Sequence, residues 1–208
     1  MASIPIVLFG NGKIAEVLLH YFQNHSNYEV VACTVDSEFA KEQIWHDLPL
    51  ISFDEIEKQY SPESHKMFVA IGYQDLNGLR KQKYYEAKDK GYELISYVHP
   101  DSGLPEDCKF GDNCFIMQNS LIHPRVELGK NVFVWSGAMI GHHSKIGDHC
   151  WITSCAKLAS DVSIGNNSFV GINATVSENV KIGRNCLLGA NSFVTKCANE
   201  NEVYLEER

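Results

Sequence analysis

A chain of 208 residues with 18 Lys and Arg against 26 Asp and Glu, net charge −8, has room for one large domain or two small ones, each able to bury a core. The acidic surplus is shared by both halves, so no basic face is offered to nucleic acid or to an anionic membrane, although backbone amides can still bind a phosphate locally. No apolar run has the length of a membrane span, and the start MASIPIVLFGNGK lacks the basic n-region of a secretory signal, which leads us to expect a cytoplasmic protein.

Residues 4–9 are a short apolar run and predict a first strand, followed at 10–15 by GNGKIA. Ile14, Val17, Leu18 and Tyr21 then recur at helical spacing. Strand, glycine turn and helix form the context in which a G-x-G motif binds phosphate, because glycine lets the backbone approach and the helix start offers free N–H groups. A second strand at 28–35 ends at Asp36, placed to bond a ribose hydroxyl or a base edge. Residues 41–60 are mixed, with a helix expected over 53–60. A third strand over 66–71 stops at Gly72, a helix is expected over 75–90, and a last strand over 93–98 is closed by His99-Pro100. Residues 1–97 thus read as an α/β nucleotide-binding domain, a half-Rossmann-like parallel sheet of four short strands; the structural alternative is a glycine turn that only packs helix on sheet.

From Leu104 to Asn199 the chain repeats every six residues. Leu104, Phe110, Ile116, Ile122, Leu128 and every sixth residue to Val194 are apolar, and the residue four places on is always Ala, Ser, Cys or Val. Gly often follows the apolar residue and Asn often precedes the small one. A period of six fits neither a helix nor one long strand; it fits short strands joined by corners, the hexapeptide β-helix, with three hexads to a coil. Asn suits a corner because it tolerates the left-handed backbone conformation. The second domain is accordingly a parallel β-helix over residues 98–208, of about five coils by this arithmetic, and the resemblance given below implies a left-handed one.

Seven cysteines, an odd number without CxxC spacing, point to a reducing compartment and away from a metal. Cys108, Cys114, Cys150 and Cys186 occupy the small corner position, and Cys155 and Cys197 are turn residues. The polar chemistry that the repeat does not demand is His142-His143, with Pro124 and Ser160 as the stacking neighbours of His142. A surface histidine is usually only solvated, but an imidazole on a rigid coil is suited to general base work, and the Ser160 backbone N–H could face whatever lies over it. His123 and His149 read as turn or surface residues, and the histidine spacing does not match a three-histidine zinc site.

The chain resembles the left-handed β-helix sugar acyltransferases of the sialic acid O-acetyltransferase type. Within them it is most similar to the nucleotide-amino-sugar N-acetyltransferases that make bacillosamine, perosamine and viosamine derivatives. The resemblance spans nearly the whole chain: GNGKIA, VDS at 35–37, VAIG at 69–72, YVHP, IGHHSKIGDHC, AKLASDVSIG, SFVGINATV and LLGANSFVTK. It implies an acetyl-CoA-dependent N-acetyltransferase of bacterial surface glycan biosynthesis, a homotrimer with no metal, with CoA lying along the groove between neighbouring β-helices. It places the catalytic base on His142 with His143 beside it, and the stacking of Ser160 makes its N–H the oxyanion donor. The nucleotide-sugar contacts fall on Asn11, Gly12, Lys13, Asp36, Ser37 and Gly72, and the acetyl-CoA contacts on Trp151, Ile172 and Ala190. The chain departs from the pattern at His143, usually acidic; at Trp151, often His; and in NEVYLEER, which lacks a Gly-x-Pro segment. Because His143 carries no negative charge, its removal is expected to cost less than that of His142. Sugar O-acetylation by the same base, and a non-catalytic nucleotide-binding β-helix, stay open. A Rossmann oxidoreductase would need a longer nucleotide domain than this one.

Overall fold

The apolar run at Ile4–Phe9 forms β1, and Ile6, Val7 and Leu8 are wholly buried, as a parallel strand covered on both faces requires. The computed structural model describes residues 3–205, in two compact units: Met1–Gly72 with Gln82–Ile95, and Tyr73–Lys81 with Ser96–Arg208. In the first, β1 is followed by α1 (Lys13–His25), β2 (Tyr28–Val35), β3 (Ile44–Trp45), β4 (Leu48–Ser52), α2 (Ile56–Gln59), β5 (Lys66–Val69) and α3 (Gly78–Asp89), the last crossing into the second unit's segment. The sheet order is β3-β4-β2-β1-β5, parallel throughout except for the β3–β4 hairpin.

Several expectations are corrected. The sheet has five strands rather than four, because the mixed stretch after Lys41 supplies a hairpin and β4. The buried stripe of α1 is Ala15, Leu18, Leu19 and Phe22, rotated from the predicted set. The helix expected from residue 75 starts at Gly78, because Asp75, Leu76 and Asn77 all take positive φ. The last predicted strand is divided: Leu94 makes a single parallel bridge to Met67, while Tyr97–Val98 pairs with Phe115–Ile116. The Tyr97 ring stacks on Phe115 at 5.2 Å, and that apolar contact draws the end of the segment into the repeat.

In the second unit each corner-to-corner strand pairs in parallel with the one a full coil away, as in Phe115–Phe133–Trp151–Phe169. Three sheets result. The first runs from Tyr97–Val98 through Trp151–Ile152 to Val203–Tyr204, the second from Leu121–Ile122 to Phe193–Val194, and the third from Glu127–Leu128 to Lys181–Ile182. From Ile116 to Val194 every inward residue is at most 5% exposed, and every small corner residue from Cys108 to Ala198 is buried. The first hexads are less regular: Leu104 is only partly buried and Phe110 is 40% exposed, outside any strand. The residue before the small one is left-handed almost throughout, from Asn113 (φ 53°) to Asn191 (φ 58°). His143 and His149 occupy this slot at φ 61° and 62°.

Leu158 is fully buried at the centre of the coil. Leu158→Asp places an unpaired carboxylate there and should cost more than about 4 kcal/mol, enough to abolish cooperative unfolding in a thermal melt followed by circular dichroism. A parent-like melt would remove the inward assignment.

Candidate active site

Asn11, Gly12 and Lys13 follow β1, Asp36 and Ser37 follow β2, and Gly72 lies just past β5. All six predicted substrate positions therefore stand at the carboxyl ends of parallel strands. The chain reverses direction across the sheet between β1 and β5, which is where open α/β sheets form a ligand crevice. Gly10 has φ 123°, and a Cβ there would stand 2.8 Å from the Ala70 carbonyl oxygen, so only glycine allows the two loops to meet. Gly12 caps α1 with open space beside its Cα and no side-chain cap on the helix start.

Asp36 is not left as a lone acceptor. Its Oδ1 accepts from Lys83 Nζ at 2.7 Å, and the same ammonium donates to Glu86 Oε2 at 2.7 Å. Burial opposes the charge on Lys83, but the hydrogen bonds and charges of Asp36 and Glu86 outweigh it and hold its pKa above the usual value. Lys83 was not foreseen, because nothing in a polar helix sequence marks which lysine turns towards the sheet.

On the coil, His142 and Ser160 lie one above the other at the corner between the second and third sheets. His142 Nδ1 lies 3.0 Å from His143 Nδ1, with the rings 5.1 Å apart and nearly perpendicular, and both side chains are exposed. The His142 carbonyl accepts from Asp161 N and the Ser160 carbonyl from Asn179 N, while among the described residues the Ser160 amide donates to no backbone acceptor. A Cβ on Gly141 would stand 2.6 Å from Ser160 N, so only glycine lets the two coils stack this closely beside His142. A cavity of about 350 Å³ adjoins His143 but not His142, and Asp107, Lys109, Arg125, Glu127 and Lys145 also line it.

Ile172 and Ala190 are exposed on a different corner, between the first and second sheets. Within one chain they do not converge with His142. Trp151 stands elsewhere again: it is 2% exposed on the outer face of the first sheet, stacked on Phe133 at 4.9 Å and edge-on to Tyr73 at 5.4 Å. The Arg80 guanidinium lies 4.6 Å from the Phe133 ring centre and 5.0 Å from that of Trp151. It donates to the side chains of Asn131 and Asn77 and to the carbonyls of Asn131, His149 and Cys150. Burial lowers its pKa to about 9, so it stays charged at neutral pH, and the carbonyls and ring faces replace its hydration. His149, read as a turn or surface residue, does sit in a turn but is buried in this same wall, with Nδ1 accepting from Asn131 Nδ2 at 2.9 Å. Among the described residues no three His, Cys, Asp or Glu side chains are grouped to hold a metal ion, and no helix is long and apolar enough to cross a membrane.

The bacterial transferase hexapeptide (six repeats) family matches residues 107–142 and 161–196, so the coil carries that family's repeat. No curated protein matches the chain. Among solved structures, the chain is similar to the acetyltransferase domain of PglB from Neisseria gonorrhoeae FA1090, at 19% identity over 97% of this chain and 96% of that one, with a TM-score of 0.85. It is also similar to PerB from Caulobacter crescentus in complex with CoA and GDP-perosamine, at 24% identity over 96% and 92%, TM-score 0.85. WeeI from Acinetobacter baumannii AYE follows at 14% identity over 96% and 95%, TM-score 0.81. The fold is shared with all three.

His149 generates a stability test. Burial is the main cause that lowers its pKa, to about 4; Arg80 adds to the shift and Asp148 opposes it. The unfolded chain, with an imidazole near 6.5, binds the proton more readily, so stability is full above about pH 6.5 and falls as pH drops towards 4. His149 should account for about 3 kcal/mol of that loss. His149→Asn suits the left-handed corner, and its melting temperature should vary less over this range; an unchanged slope would contradict the buried neutral imidazole.

Proposed function

We propose that the chain is an acetyl-CoA-dependent N-acetyltransferase acting on the amine of a nucleotide-linked amino sugar, in bacterial surface glycan assembly. The observation that carries this reading is the exposed His142 on a rigid coil, stacked one coil from Ser160, whose amide donates to no backbone acceptor among the described residues. The crevice at the carboxyl ends of β1 and β5 supports the nucleotide end of the substrate. The solved structures agree in kind: the Neisseria domain has been seen with acetyl-CoA and the Caulobacter protein with CoA and GDP-perosamine. Histidine-to-asparagine and histidine-to-alanine variants of the Caulobacter enzyme have also been solved with both ligands.

In this reading residues 1–97 form a Rossmann-like domain that holds the nucleotide, through Asn11, Gly12, Lys13, Asp36, Ser37 and Gly72. Residues 98–208 wind as a left-handed β-helix. His142 takes a proton from the amine as its nitrogen attacks the thioester carbonyl. The Ser160 N–H donates to the resulting oxyanion, where one such donor is worth about 3–4 kcal/mol. The C–S bond then breaks, and the CoA thiolate leaves with the proton returned from His142. Acetyl-CoA meets Ile172 and Ala190, while the buried Trp151 packs the first sheet instead. Since those corner residues and His142 occupy different edges of one coil, a thioester reaching both requires neighbouring copies, which favours a homotrimer. Seven unpaired thiols fit a cytoplasmic protein; burial raises those of Cys33, Cys114 and Cys150 to about 12 and keeps them inert.

Thiol release from acetyl-CoA, measured against UDP-, TDP- and GDP-linked amino sugars and their hydroxyl counterparts, tests the reading. Turnover is expected with an amine, and turnover with hydroxyl acceptors alone would make the chain an O-acetyltransferase. His142→Asn should lower kcat by about 10²–10⁴ with little change in KM.

A separate expectation concerns the crevice. Asp36→Ala should raise KM for the nucleotide sugar roughly tenfold or more and leave KM for acetyl-CoA near the parent value. Equal changes in both constants would detach Asp36 from the nucleotide.

A further inference from the structure

Two imidazole nitrogens 3.0 Å apart constrain their protons. Two bare Nδ1 lone pairs would repel at that distance, and two N–H groups would collide, so a single proton lies between the rings. It belongs to His142 or to His143. If His143 donates, His142 carries its own proton on Nε2 and has no outward nitrogen left to act as a base. If His142 donates from Nδ1, its Nε2 lone pair is free. We propose that His143 is the positioning residue that holds His142 in this second tautomer, by accepting the Nδ1 proton on a neutral ring. The proposal rests on His142 as the base.

The fold makes His143 a rigid acceptor. Its backbone sits in the left-handed corner slot at φ 61°, between the buried Ser144 and the exposed His142. Its amide donates to the Pro124 carbonyl of the preceding coil. The position of its Cα–Cβ bond is therefore set by the stacking of coils rather than by a mobile loop. His143 also lines a cavity with two carboxylates, Asp107 and Glu127, and three cations, Lys109, Arg125 and Lys145. A free neutral imidazole prefers its proton on Nε2, and the partner of the other nitrogen decides the tautomer in a protein. The negative charge that His143 lacks is thus not needed for orientation; a lone pair in the right place suffices. This revises the expectation that His143 would matter little.

Two substitutions isolate the effect. His143→Asn puts an amide oxygen where Nδ1 now stands, and Asn already fills the equivalent corner at Asn119, Asn131 and Asn167. His143→Gly removes the acceptor and tolerates the same φ. Nitrogen-15 NMR of the parent should show His142 protonated on Nδ1, a state retained in His143→Asn and lost to Nε2–H in His143→Gly. The Gly variant should lose roughly 10–100-fold in kcat, the usual cost of removing an orienting partner, with KM for both substrates little changed. The Asn variant should stay within a few-fold of the parent, and both should melt within about 3 °C of it. Parent His142 protonated on Nε2, or a Gly variant with parent kcat while His142→Asn is inactive, overturns the proposal alone. An active His142→Asn variant overturns the base reading itself.

Discussion

The repeat depends on how closely successive turns of chain stack. Strands in parallel register stand about 4.8 Å apart, and at the corners the approach is closer than a side chain allows. A Cβ on Gly141, Gly165 or Gly171 would come within 2.6 Å of backbone atoms of the next coil. Glycine after the inward residue and a small residue at the corner are therefore consequences of one spacing. The aliphatic interior follows from it as well, since a narrow closed coil has no room for water or for a polar group with partners.

The same rigidity turns a structural slot into a chemical one. The left-handed corner position is usually Asn, which meets its backbone demand and can bond the next rung, as Asn113 does to Asn131. Histidine tolerates this conformation too. At His149 the slot faces the wall with Arg80 and Trp151, and the imidazole is buried with a depressed pKa. At His143 the slot faces solvent and the neighbouring ring of His142. Identical backbone geometry thus yields a packed neutral group at one corner and an exposed hydrogen-bonded pair at another. The difference lies in what covers the sheet beside each corner.

In the first unit the corresponding device is a pinned carboxylate. Lys83, nearly buried, holds Asp36 and Glu86 together, so Asp36 keeps its place at the end of β2 without a ligand. Such pre-orientation reduces what a bound nucleotide would have to organise. The Gly10–Ala70 contact does the same for the loops after β1 and β5.

The sequence by itself determined the period, the inward and small columns, the glycine crevice loop and the His142–Ser160 stacking, because each is a local pattern that the coil or strand repeats in register. Even there Phe110 escaped the pattern, since the first coil lacks a full set of neighbours to close over it. Only the tertiary structure decided the partners that meet across long sequence distances. Lys83 reaches Asp36 from 47 residues away, and Arg80 reaches His149 from 69. Neither contact leaves a periodic trace in the chain. The 3.0 Å approach of the His142 and His143 Nδ1 atoms was likewise hidden in two adjacent letters, because it depends on side-chain directions at a left-handed corner.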